Sequence, residues 1–132
     1  MPSLTNNVLA FCELLERGEP LRAMERFYAD DVCVFDNREL ARAGREQCLA
    51  HEREALTRLP APPSFKVHRY AVNDATQVVF IEYTLRFLSE AGRPMRIEQV
   101  SVQTWEGARI STERFYYEGV VDEGDEPPRS AE

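Results

Sequence analysis

Along the first part of the chain apolar residues recur every three or four positions, and from Phe65 onward they alternate with polar ones. The chain therefore divides into a helical half and a stranded half. Leu4, Val8, Phe11 and Leu15 share one helical face, with Ser3 or Thr5 available to cap its start and Gly18 to end it. Pro20 suits a first helical turn, and Leu21, Met24 and Phe27 give a second short helix that ends at Tyr28-Ala29-Asp30. A strand from Val32 to Asp36 follows, so a carboxylate stands where the strand stops. Asn37 to Gly44 reads as a polar loop. Arg45 to Leu59 is a third helix, stopped by Pro60-Ala61-Pro62-Pro63.

Beyond the prolines the period is two. Strands are expected over Phe65 to Val72, Gln77 to Leu88, Met95 to Trp105 and Arg109 to Glu118, separated by Asn73-Asp74, Ala91-Gly92-Arg93 and Glu106-Gly107. Helix, helix, strand, helix and then four closely linked strands imply the α+β class, with a curved, mostly antiparallel sheet carrying helices on one face. Alternation splits Gln77 to Leu88 into an apolar face (Val79, Ile81, Tyr83, Leu85, Phe87) and a mixed one (Phe80, Glu82, Thr84, Arg86). If the apolar face looked outward, it would be a patch that monomers rarely tolerate, and a homodimer would follow.

At 132 residues the chain has the size of one domain, read here as 1–121 with an acidic, disordered tail over 122–132. A net charge of −7, with Lys66 the only lysine, excludes binding to nucleic acid backbones. No apolar run reaches the roughly 18 residues of a membrane span, and the N-terminus lacks a signal-peptide layout, so a cytoplasmic protein is expected. Cys12, Cys33 and Cys48 follow no paired spacing and read as free thiols in a reducing compartment. Two histidines, His51 and His68, without a ligand spacing give no metal site, and no glycine-rich loop opens a helix to cradle a nucleotide. Any chemistry is expected to need no cofactor.

The element order, the run Phe27-Tyr28-Ala29-Asp30-Asp31-Val32 and the closing Gln103-Thr104-Trp105-Glu106-Gly107-Ala108-Arg109-Ile110-Ser111-Thr112-Glu113-Arg114-Phe115-Tyr116-Tyr117 together resemble the SnoaL-like branch of the nuclear transport factor 2-like superfamily, from about Thr5 to Gly119. The resemblance implies a cone-shaped sheet enclosing a pocket with three N-terminal helices, and often a homodimer through the outer sheet face. It spans isomerases, polyketide cyclases, epoxide hydrolases, dehydratases and non-catalytic binders, so it carries fold further than activity. Asp36 falls where the ketosteroid isomerases of that superfamily hold their base. Their oxyanion-hole tyrosine corresponds to Phe11 and their protonated aspartic acid to Ser101, so that hole is not reproduced here. The resemblance also sets Ser101, Gln103, Trp105, Glu113, Phe115 and Tyr117 on the concave side, and His51 where an aromatic ring enters the pocket.

The resulting expectation is a cofactor-independent acid/base enzyme of cyclase, isomerase, hydratase or dehydratase type acting on a hydrophobic, oxygen-bearing small molecule. Asp36 and His51 would be catalytic, and Phe11, Ser101, Gln103, Trp105, Glu113, Phe115 and Tyr117 would contact the substrate. The plainer readings stand beside it. His51 can be a helix residue beside Glu52 and Glu54, Asp36 can cap the loop after it, Glu82 and Arg86 can pair on a solvated face, and the whole cone can be a non-catalytic binding or dimerisation module.

Overall fold

The Ser3 hydroxyl accepts the Asn6 N–H at 3.1 Å, which satisfies one of the orphan donors at the start of α1, Leu4–Glu16. Leu4, Val8, Phe11 and Leu15 are buried, as the spacing predicts, together with Asn7, Cys12 and Leu14. Gly18, at φ +78, supplies the left-handed residue that turns the chain into α2, Pro20–Phe27. The structure is a computed structural model and describes residues 2–124. After α2 come β1 (Tyr28–Asp36), β2 (Glu39–Ala43), α3 (Arg45–Arg58), β3 (Ser64–Asn73), β4 (Val78–Leu88), β5 (Pro94–Glu106), β6 (Arg109–Tyr116) and β7 (Val121–Asp122).

The strands form one curved, unclosed sheet in the order β2-β1-β6-β5-β4-β3, with β7 paired to β5 beyond the end of β6. Only β1 and β6 run parallel, and the other pairs are antiparallel. The three helices lie against one face, α1 over β3 and α3 over β1. The fold is thus α+β. No helix among the described residues is long and apolar enough to cross a membrane.

Register decides which side chains face the helices. Val79, Gln103 and Glu113 stand side by side across β4, β5 and β6, and Ile81, Ser101 and Phe115 form the next row. Val79 and Ile81 are fully buried, each side chain contributing about 1.5–3 kcal/mol of transfer free energy. The apolar face of β4 therefore looks inward, and it forms no outer patch. The outer face instead shows half-exposed Phe80 and Tyr116 among Thr84, Arg69 and Glu82.

The expected loop from Asn37 to Gly44 is a hairpin instead. Asn37 and Arg38 make the turn and Glu39–Ala43 returns as β2, an edge strand. Its exposed, helix-favouring residues hide it from a pattern reading, because an edge strand needs no alternating apolar face. Several other boundaries shift, most at β1, which begins at Tyr28 rather than Val32, and at β6, which ends at Tyr116 rather than Glu118. At the other end Asp122 pairs with Arg93 and Glu123 with Arg86 and Arg96, so the start of the acidic segment is held on the sheet. Residues 125–132 of the expected tail lie outside the described residues.

Candidate functional site

Alternation along two parallel neighbours builds the site. On β1, Val34 points in, Phe35 points out beneath the Arg114 guanidinium at 4.2 Å, and Asp36 points in again. On β6, Glu113 and Phe115 point in with Arg114 outward between them. The Asn37 backbone, at φ +54, turns the chain after Asp36 and ties it to β6. Its N–H donates to the Phe115 carbonyl at 2.8 Å and its Oδ1 accepts the Tyr117 N–H at 3.1 Å.

A cavity of about 350 Å³ opens between the sheet and the helices. Its walls are largely apolar, with Leu56, Leu59, Phe65, Leu85, Phe87 and Ile97 among them. Polar groups collect at two places: Asp36, Arg42, His51 and Glu52 on one side, and Tyr28 with Glu113 at the base.

At the base, donors converge on one carboxylate. Glu113 Oε1 accepts from the Tyr28 hydroxyl, and Oε2 accepts from Ser101 Oγ at 2.5 Å and from Gln103 Nε2 at 2.7 Å. Trp105 Nε1 donates to Gln103 Oε1 at 2.9 Å, which turns the Gln103 amide so that its N–H groups face Glu113. All five residues are buried. Burial, and then the adjacent Glu113 carboxylate, push the Tyr28 phenol well above its ordinary value, so it stays a proton donor. Burial and Glu113 raise the Tyr83 phenol in the same way.

On the other side, Arg42 reaches inward because it pairs with buried Val34 in the β1–β2 ladder. Its guanidinium lies 3.9 Å from Asp36 Oδ2. Burial, and then the Arg42 charge, pull the His51 imidazole below its usual value, while Asp36 pulls the other way. Burial raises the Glu52 carboxyl, with Arg42 opposing. The Cys48 thiol is raised by burial first, against a lowering by Arg42.

The sequence-predicted residues thus separate into two groups. Asp36, His51, Phe11, Glu113, Phe115 and Tyr117 all line the cavity. Ser101, Gln103 and Trp105 face the same way but lie beneath its floor, with Trp105 packed on Phe27 at 5.6 Å between ring centroids. No hydrogen bond joins Asp36 to His51, whose side is exposed. Sequence reasoning missed Tyr28, Arg42, Glu52 and Tyr83. By pattern Tyr28 falls at the end of a helix and Arg42 in a polar loop, whereas Tyr83 stands on an apolar face whose direction the pattern leaves open. No group of three or more His, Cys, Asp or Glu among the described residues is placed to hold a metal ion.

A sequence model of the SnoaL-like domain matches residues 8–113. No curated protein sequence matches the chain. Among solved structures, an NTF2-like protein of unknown function from Burkholderia pseudomallei superposes with a TM-score of 0.74 at 17% identity, covering 89% of this chain and 92% of that one. An LEH-like epoxide hydrolase of M. tuberculosis gives 0.69 at 19% identity, covering 87% and 82%. SalBIII, an epoxide hydrolase/cyclase-like enzyme with a role in pyran ring formation in the polyether salinomycin, gives 0.72 at 14% identity, covering 87% and 90%. At these identities the likeness is one of fold.

Proposed function

Because the chain belongs to the SnoaL-like domain family, whose fold carries cyclases and epoxide hydrolases, we propose that it is a cofactor-independent acid/base enzyme acting on a hydrophobic, oxygen-bearing small molecule. One observation carries this reading: Asp36 enters a largely apolar cavity of about 350 Å³, a size suited to a ring-bearing ligand. Asp36 takes or returns a proton, and the neutral imidazole of His51 orients the substrate or a water. Glu113 sits at the far end with Tyr28, where the pair fixes the polar end of the ligand. Ser101, Gln103 and Trp105 act through Glu113 rather than on the substrate.

Proton abstraction can be read without knowing the natural substrate. 2-Tetralone, an enolisable ketone of suitable size, exchanges its α-hydrogens in D2O, and mass spectrometry follows the exchange. Wild-type protein is expected to accelerate it, and Asp36→Asn to lose roughly 10²–10⁴-fold of the acceleration. Equal exchange by the two proteins removes Asp36 from the mechanism.

A second reading, a non-catalytic binder, is favoured by the lack of a hydrogen bond between Asp36 and His51. It predicts ligand binding with no exchange above background. For assembly, half-exposed Phe80 and Tyr116 support a homodimer through the outer sheet face. Sedimentation as a monomer at micromolar concentration would remove that proposal.

A further inference from the structure

Proton abstraction beside a carbonyl leaves negative charge on the carbonyl oxygen, and the groups expected to receive it are not free to do so. Phe11 has no donor, and the Ser101 hydroxyl is committed to Glu113. Arg42 is the only arginine or lysine that lines the cavity among the described residues. Its side chain is 17% exposed, on a strand whose other residues are exposed. Some other guanidinium groups bind carboxylates closely: Arg45 meets Asp30 at 2.6 Å, and Arg69 grips both Glu82 oxygens at 3.0 and 3.1 Å. Arg42 stands 3.9 Å from Asp36, beyond direct hydrogen bonding, and the thiol of nearby Cys48 is at most a weak acceptor. Most of its N–H fork is therefore unspent and faces the cavity.

We propose that Arg42 is the electrophile of this site, holding the carbonyl oxygen of an enolisable ketone or ester while Asp36 removes a proton from the adjacent carbon. The role rests on the acid/base reading above. The C–H bond breaks and its electron pair becomes the C=C bond. The C=O π pair moves to oxygen, and the proton ends on the Asp36 carboxylate. One negative charge thus leaves Asp36 and appears on the enolate oxygen, within reach of the same guanidinium. The cavity's net charge is unchanged, and no dipole has to reorganise as the charge moves. Cys48, His51 and Glu52 are the other titratable groups around Arg42; His51 alone can become a cation, and burial and the Arg42 charge disfavour that form.

The test uses 2-naphthol, whose naphtholate is a flat apolar mimic of an enolate, with naphthalene as the uncharged control. Asp36→Asn provides the neutral residue that the protonated base would be. In that protein the absorbance of bound naphthol is expected to show ionisation at a lower pH than free naphthol. Adding Arg42→Gln is expected to weaken naphtholate at least tenfold while naphthalene affinity stays within about twofold. Unchanged naphtholate affinity in the double variant, with naphthalene still bound, overturns the proposal. If the glutamine variant loses naphthalene too, Arg42→Lys decides, since it keeps the charge but not the planar fork. Weakened naphtholate with naphthalene retained then supports the role, and unchanged naphtholate overturns it. Failure of wild-type protein to bind either compound overturns the cavity reading and this proposal together. An intact Arg42 effect alongside tetralone exchange indifferent to Asp36→Asn supports the Arg42 role and removes Asp36 as the base.

Discussion

The Tyr28 hydroxyl donates to the Glu113 carboxylate across 85 residues of sequence, joining the first residue of β1 to the middle of β6 at the base of the cavity. The two strands are parallel neighbours, so this bond locks the register of the one parallel pair in the sheet. Tyr28→Phe leaves the buried carboxylate one donor short, and is expected to cost about 1–3 kcal/mol of stability. Glu113→Ala strips Tyr28, Ser101 and Gln103 of their acceptor at once and should cost more than Tyr28→Phe. Urea denaturation checks both. A Glu113→Ala protein as stable as wild type would mean that the network does not hold the sheet together.

Asn37 combines a backbone requirement with a side-chain one. Its φ of +54 suits glycine or asparagine, while its Oδ1 accepts the Tyr117 N–H. Asn37→Gly keeps the turn and loses the acceptor. Asn37→Ala loses the acceptor and adds left-handed strain, which costs roughly 1 kcal/mol more. The alanine variant is thus expected to be the less stable of the two, and to lower Asp36-dependent exchange as the hairpin loosens. Thermal melts that rank alanine equal to glycine would show that the backbone at this position is not what holds Asp36 in place.

The helices and the long strands were legible because each carries its own periodicity and punctuation. Leu4, Val8, Phe11 and Leu15 mark one face, and the prolines after Leu59 mark a stop. What sequence could not settle was direction and partnership. The apolar face of β4 could be assigned inward or outward only by the helices that cover it, and β2 left no signal because an exposed edge strand needs none. Asp36, six residues from Arg42, could be placed at a strand end. Arg42 could not, because only the hairpin folds it back beside Val34 and over the cavity. Tyr28 shows the same limit, since its partner lies 85 positions away.

Glu52 gives stability a pH dependence of defined sign. Burial raises its carboxyl above the ordinary value, so the folded state holds the proton more tightly than the unfolded state. Below the unfolded value of 4.5 both states are protonated and the favourable contribution is complete. As pH rises toward the folded value the unfolded chain ionises first, and that contribution is lost. Glu52→Gln, a neutral stand-in, should match wild type near pH 4 and exceed it near pH 7 by denaturant midpoint. A midpoint difference that does not change between the two pH values would count against a buried, raised carboxyl.

Ala55 lines the cavity from α3, one helical turn beyond His51, with a side chain too small to fill the space before it. Ala55→Trp should place an indole in the cavity beside apolar walls. The position is half-buried and helical and faces open space, so the larger side chain can enter the cavity, and stability should fall by no more than the roughly 1–3 kcal/mol of overpacking. Naphthalene binding and tetralone exchange should both fall, because the occupied volume is the one the substrate needs. Asp36→Asn, by contrast, should lose exchange while keeping naphthalene. The two variants thus separate access from chemistry. Undiminished exchange by a folded Ala55→Trp protein would place the reaction outside this cavity.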